Sequence, residues 1–340
     1  MARERQMPMR RRRTSEREQL DLFRALPGDL APRDAQDLMA YPFFSLAKSK
    51  RTVPIDFRAG KITIRVEAVA EHGMATIWDA DVLIWAASQI VEARDGGLKT
   101  SRLMAATPCE ILTFVGRGTS ARDYDRLKAA LDRLQSTTIM TSIRQPTERR
   151  RHRFSWINEW KETADPHGRA LGLELILPDW FYAGVLDEAL VLTIDRAYFG
   201  LTGGLERWLY RLVRKHGGRQ AGGWSFDLIH LYGKSGSLSP LKHFAYDLRE
   251  IVRRQRLPGY RLVIERGLHG TERLNFTPIP VDPLTAALRR RGLATSPGES
   301  CESSRAIRDR NSRAIGDRIL VLSGTRVGLN VLALNTFPRS

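Results

Sequence analysis

Ser239-Pro-Leu-Lys-His-Phe-Ala-Tyr-Asp-Leu-Arg-Glu-Ile-Val-Arg-Arg-Gln-Arg256 carries two stripes at once. Leu241, Phe244, Leu248 and Ile251 recur at helical spacing and form an apolar face. Lys242, Tyr246, Arg249, Arg253 and Arg256 recur at spacings of 4, 3, 4 and 3 on the opposite face. Ser239-Pro240 is a helix start, and Pro258-Gly259 turns the chain beyond the end. Such a helix packs by its greasy stripe and offers its cationic stripe to a partner. Downstream, residues 260–265 and 271–279 read as a hairpin across Gly267 and Gly270. Upstream, residues 203–216 form a helix with Leu205, Trp208, Leu209 and Leu212 on one face, ended by Gly217-Gly218. Residues 224–226 are a short extended piece, 227–232 a short helix and 233–236 a turn. Helix, extended piece, helix, tight turn, helix and hairpin is the order of a winged helix-turn-helix.

The order also occurs earlier in the chain. Residues 79–94 predict a helix capped by Asp79, with Val82, Trp85, Ala86, Gln89 and Ile90 on its stripe and Gly96-Gly97 after it. Thr107-Pro-Cys-Glu110 opens a second helix with an N-cap, a proline at the first position and an acid at the third. Gly116 ends it, and Ser120-Ala-Arg-Asp123 opens a third that runs to about Gln135. Its apolar stripe is Tyr124, Leu127, Leu131 and Leu134; its outer face holds Arg122, Arg126, Ala129 and Arg133. Residues 137–143 and 153–160 read as strands around a turn at 145–151. Each hairpin adds cations: Arg149, Arg150, Arg151 and Arg153 in the first unit, Arg261 and Arg266 in the second. Outside these units, residues 51–57 and 61–68 read as a hairpin, and 171–177 and 178–185 as a strand and short helix leading the second unit.

The fold expected is α+β, with two tandem winged helix-turn-helix domains at 36–170 and 171–284. A flexible Arg-rich arm at 1–35 precedes them. A low-complexity tail at 285–340 follows, with a tandem octamer, Ser304-Arg-Ala-Ile-Arg-Asp-Arg-Asn311 and Ser312-Arg-Ala-Ile-Gly-Asp-Arg-Ile319.

Charge points to the partner. Lys plus Arg number 55 against 38 acids in 340 residues, a net of +17. Residues 1–17, 120–153 and 239–273 together hold +14 of it. Concentrated cation on two helix faces suits a polyanion. The outer stripe of a third helix can enter the ~12 Å major groove, where Arg bonds guanine edges bidentately. The hairpin cations would meet flanking phosphates. The N-terminal arginines are open to two readings, a contact to a groove or backbone and a solubilising tail. A composition of 42% hydrophobic and 27% charged residues excludes wholesale disorder. The longest apolar run, residues 82–91, is interrupted by Ser88 and Gln89, so no membrane segment is expected. The N-terminus has arginines but no apolar core, which predicts no signal peptide and a cytoplasmic protein. Two cysteines, Cys109 and Cys301, give no disulfide framework and no Cys-based zinc site.

Several apparent motifs dissolve on inspection. Gly233-Lys234-Ser235 would end a phosphate-binding loop, but the glycine required five positions earlier is Leu228. His216-Gly-Gly-Arg219, with Tyr246 and Tyr260 downstream, has the residue types of a tyrosine recombinase, but two glycines interrupt the helix. The histidines (72, 152, 167, 216, 230, 243 and 269) contain no His-x-His pair. Acid pairs such as Asp79 with Asp81 fall at helix starts, where capping accounts for them. No catalytic constellation emerges, so a non-enzyme without cofactor or metal is expected. For the tryptophans core packing is the default, with base stacking open to Trp156 or Trp160.

Thr76-Ile-Trp-Asp-Ala-Asp-Val-Leu-Ile-Trp-Ala-Ala-Ser-Gln-Ile90 and Leu201-Thr-Gly-Gly-Leu-Glu-Arg-Trp-Leu-Tyr210 resemble the replication initiator protein A family of bacterial plasmids. So do Lys234-Ser-Gly-Ser237, Phe244, Asp247-Leu-Arg249 and Leu257-Pro-Gly-Tyr260, and the resemblance spans roughly residues 35–280. It implies tandem winged helices that bind double-stranded repeats (iterons) at a plasmid origin, help melt A·T-rich DNA and recruit the host helicase and initiator machinery. It also implies promoter binding as a homodimer. The residues themselves leave a transcriptional regulator and a DNA strand-transfer enzyme open as alternatives.

Overall fold

Two short strands, β1 (Leu22–Arg24) and β2 (Arg33–Ala35), and the helix α1 (Gln36–Ala40) come first in the computed structural model. The structure describes residues 15–147, 151–164, 170–218, 220, 222–267 and 270–280. The hairpin of β3 (Ile55–Ala59) and β4 (Ile62–Glu67) follows, turned by Gly60 at φ +55°. Period-two alternation buries Ile64 and Val66 and leaves Arg65 outside, paired with Asp56 and Glu67. Helix α2 (Ala80–Asp95) is buried on nearly every side, so the apolar stripe expected there was too narrow. Ser88 and Gln89, which interrupt its apolar run, are buried as well. Ser88 Oγ accepts the Arg33 N–H at 2.8 Å, and Gln89 Oε1 accepts the Leu26 N–H at 2.7 Å. These two bonds tie down a segment expected to be a flexible arm. The expectation for 1–35 is corrected from Arg17 onward, where a short 3-10 turn begins; residues 1–14 lie outside the described residues.

Strand β5 (Leu103–Ala106) leads to α3 (Pro108–Phe114) and α4 (Ala121–Ser136). Both helices start on capping boxes, as their sequences predict. Glu110 Oε2 accepts the Thr107 N–H at 2.6 Å while Thr107 Oγ1 accepts the Glu110 N–H at 3.2 Å. Ser120 and Asp123 do the same for α4. Four strands follow: β6 (Thr138–Thr141), β7 (His152–Ser155), β8 (Glu159–Ala164) and β9 (Ala170–Ile176). Then come α5 (Asp179–Leu186) and β10 (Val191–Thr193), which pairs with β2.

Here the pairing departs from the expected one. The stretch 153–160 is two strands, divided at the fully buried Trp156, whose ring packs on Phe43, Phe44 and Phe154. The β6–β7 hairpin joins β4, with Ile64 opposite Thr141 and Val66 opposite Ile139, giving a sheet β3-β4-β6-β7. Strand β5 instead pairs with β9, in a second sheet β1-β5-β9-β8 whose β1 is parallel to β5. The strand expected to lead the second domain therefore completes a sheet of the first half, and α5 packs on α2.

The rest is α6 (Gly204–Gly217), β11 (Trp224–Asp227), α7 (Leu228–Ser235), α8 (Leu241–Arg254), β12 (Tyr260–Arg266) and β13 (Glu272–Pro278), with sheet order β11-β13-β12. Helix α7 closes on Gly236 at φ +62°. Helix α8 ends at Arg254, because Gln255 turns left-handed at φ +47°. Its side-chain amide donates to the Leu262 carbonyl at 2.6 Å and accepts the Leu262 N–H at 3.1 Å, clamping helix end to hairpin.

The architecture is mixed α+β, and its core is continuous from Phe23 to Phe276. Two buried ion pairs fasten α6 to the first half. Arg207 grips Asp81 of α2 at 2.8 and 2.9 Å, with Arg117 on the same carboxylate. Arg211 grips Asp34 of β2 at 2.6 and 2.8 Å. At the start of α6, a Cβ on Gly204 would collide with the Leu46 carbonyl oxygen. Gly204→Ala is therefore expected to cost about 1–3 kcal/mol or more through backbone displacement, read as a lower melting temperature. Among the described residues no helix is long and apolar enough to cross a membrane.

Candidate nucleic-acid interface

The same unit is built twice. α2, β5, α3, α4, β8 and β9 follow one another with strand order β5-β9-β8, the β6–β7 hairpin being inserted between α4 and β8. α6, β11, α7, α8, β12 and β13 follow with strand order β11-β13-β12. In each unit a cation of the third helix reaches a glutamate of the hairpin. Lys128 Nζ of α4 lies 2.6 Å from Glu162 of β8, and Arg249 of α8 lies 2.6 Å from Glu272 of β13. Trp160 of β8 adds a bond from its Nε1 to Asp132 of α4 at 3.2 Å. The hairpins are thus fixed against the helices whose outer faces are the candidate surface.

On α4, Leu127, Leu131 and Leu134 of the predicted stripe are buried and Tyr124 is half-buried; Ala130 is buried beside them, and Arg122 and Arg126 are exposed. Arg126 leans on Asp123 at 3.2 Å. Arg133 is corrected: its guanidinium forks onto the buried Asp79 at 2.8 and 2.8 Å, at the start of α2. A fork of this kind is structural. Arg133→Ala is expected to cost about 1–3 kcal/mol of stability by leaving that carboxylate short of donors. Arg126→Ala should leave melting unchanged, and urea denaturation of the two variants separates the roles.

On α8, Phe244, Leu248 and Ile251 are buried and Leu241 is exposed; Lys242, Tyr246, Arg249 and Arg253 face outward. Arg253 is held by Glu250 at 2.8 Å, with Arg254 on the same carboxylate at 3.5 Å. Those cations keep the Glu250 carboxyl below its ordinary range, Arg253 by its hydrogen bond first. Glu272 is lowered likewise by the hydrogen bond from Arg249. Exposed pairs like these hold their partners weakly, so a phosphate chain can take them over. Arg256 is exposed but stands beyond the helix end, off the face where period 3.6 placed it. Arg261 is exposed on β12. A cleft of about 450 Å³ opens beside this face, bordered by Lys50, Gly203, Tyr246 and Arg254.

The basic hairpin assigned to α4 is a second correction. Arg151 and Arg153 are exposed on β6–β7, which belongs to the sheet with β3 and β4 and not to the sheet of β5; Arg153 pairs with Glu67 at 3.4 Å. Arg149 and Arg150 lie outside the described residues. The hairpin that stands where β12–β13 stands in the second unit is β8–β9. It brings Lys161, which sequence reading missed. Of the tryptophans weighed for stacking, Trp156 is fully buried and Trp160 is engaged by Asp132.

The family model for replication initiator protein A matches residues 33–262, from β2 into β12. This chain belongs to the replication initiator protein A family. The match takes in the first unit, the second as far as the start of β12, and the four residues of the ion pairs that fasten α6 to the first half. A putative replication protein of Wigglesworthia glossinidia brevipalpis is 32% identical over 228 residues, which is 66% of this chain and 82% of the relative. Among solved structures, that of domains 2 and 3 of RctB superposes with a TM-score of 0.52 at 15% identity, covering 69% of this chain and 94% of that one. At that identity the likeness is one of fold.

Proposed function

We propose that this chain initiates plasmid replication in the bacterial cytoplasm by binding direct repeats of duplex DNA at the origin. The twice-built unit carries the reading. Each copy acts as a winged helix with α4 or α8 in a major groove. Arg122 and Arg126 read in the first, and Lys242, Tyr246, Arg249 and Arg253 in the second. Two units on one body occupy major grooves ~34 Å apart, and their linkage makes the second contact intramolecular. Occupying adjacent repeats bends the duplex, and a weak A·T-rich segment yields to deformation energy of ~1–6 kcal/mol per site. Opening needs no chemical step by the protein, and the host helicase loads on the exposed strands. A homodimer would serve at the promoter.

DNase footprinting of the full chain on DNA flanking its own gene tests this. Regularly spaced protection over direct repeats is the expected pattern. Protection confined to one inverted repeat at the promoter favours a transcriptional regulator instead. Covalent adducts on nicked duplex would return the strand-transfer enzyme.

A further inference from the structure

Lys215, in the last turn of α6, and Lys234, in the last turn of α7, place their ammonium groups over one ring. Their Nζ atoms lie 5.7 and 4.8 Å from the centroid of Tyr41, and Lys234 lies 5.9 Å from that of Phe57 on β3. Both lysines are half-buried, and neither forms an ion pair with a described residue. The acid whose charge reaches Lys215 is Asp37 of α1. Asp37 is already engaged by Arg144, whose Nε is 3.0 Å away and whose guanidinium stacks 3.9 Å from the Trp180 ring. Three cations and one carboxylate therefore meet at the seam between the first half and α6–α7. An aromatic face offsets only part of what desolvating an ammonium costs.

We propose that Lys215 and Lys234, with Tyr41 beneath them, form a seat for a phosphate-type oxyanion. The seat uses no residue of α4 or α8 and does not depend on their reading DNA. Burial lowers both lysines, and the charge of Lys215 brings Lys234 further down, to about 8. His216, pushed down to about 4 mainly by burial, is neutral beside them, and His230 and Arg144 are the remaining titratable neighbours with Asp37 and Tyr41. An anion would restore the charged form of Lys234, so its binding near pH 8 takes up a proton.

Calorimetry with inorganic pyrophosphate and the full chain at pH 8, in buffers of differing ionisation enthalpy, tests the seat. Binding with proton uptake is expected, weakened at least about tenfold by Lys215→Met or Lys234→Met and lost in the double variant. Lys234→Met should also abolish the proton uptake. Lys242→Ala with Arg253→Ala should leave pyrophosphate binding unchanged, whatever they do to DNA. Duplex DNA distinguishes the source of the phosphate: competition with pyrophosphate means the backbone fills the seat, and unchanged pyrophosphate affinity means a free anion does. Absence of binding to the native chain, or equal binding by the double variant, overturns the proposal. Should the double variant not fold, acetylation of the native chain decides: pyrophosphate must shield Lys215 and Lys234, and unshielded lysines overturn the seat.

Discussion

Arg211→Met is expected to destabilise the protein by about 3–5 kcal/mol, because it strands a buried carboxylate. Arg211 and Asp34 are each 1% exposed, and their two bonds of 2.6 and 2.8 Å join α6 to β2. Methionine fills the volume of the stem but offers no donor. The charge on Asp34 would then have no water and no guanidinium to answer it. Arg211→Met/Asp34→Leu removes both charges and should recover most of the loss, since buried pairs replaced by apolar residues of similar volume are often neutral in stability. Urea denaturation of the native chain and both variants gives the comparison. Equal destabilisation by single and double variants would show that packing around α6, not the stranded charge, sets the cost. The Arg207 and Asp81 pair repeats the arrangement between α6 and α2, so α6 is locked to the first half twice.

The second large effect falls on DNA. Arg253→Ala and Arg249→Ala are each expected to cost about 1–3 kcal/mol on the cognate repeat and to relax base preference there. Non-specific duplex should lose far less, with the salt slope falling by about one for each phosphate contact removed. The pairing in the structure refines this. Arg249 must leave Glu272, at 2.6 Å, before it can reach a base. Glu272→Gln should therefore strengthen binding, most at low salt, while Arg249→Ala in that background removes the gain. Replacing Arg151 and Arg153 should weaken all sequences alike, because their sheet is not that of a reading helix. Fluorescence anisotropy on cognate and scrambled duplexes, over a salt series, measures each case.

Local chemistry was legible in the sequence where neighbours along the chain determine it. The capping boxes at Thr107 and Ser120 and the stripe from Phe244 to Ile251 depend on residues within a few turns, whereas α7 runs on to Ser235, past residue 232 where the sequence reading ends it. Long-range pairing was not. Nothing near β6 says that Thr141 will lie opposite Ile64, so sequence alone joins the first hairpin after α4 to that helix, whereas β6–β7 pairs with β4 and it is β8–β9 that shares a sheet with β5. Helical spacing put Arg133 on an outer face, but it could not show Asp79 arriving from another helix to claim it. Ser88 and Gln89 looked like interruptions of an apolar run. They are the anchors for the Leu26 and Arg33 amides, tying down the stretch just before α1. The lysines over Tyr41 left no trace in sequence spacing, since they come from the ends of two separate helices.

Hydroxyl-radical footprinting of the full chain on one repeat, beside Arg122→Ala/Arg126→Ala and Lys242→Ala/Arg253→Ala variants, tests the paired readers most directly. The account predicts two protected patches about one helical turn apart, with each double variant erasing a different patch. A single patch, or the same patch lost in both variants, would contradict it.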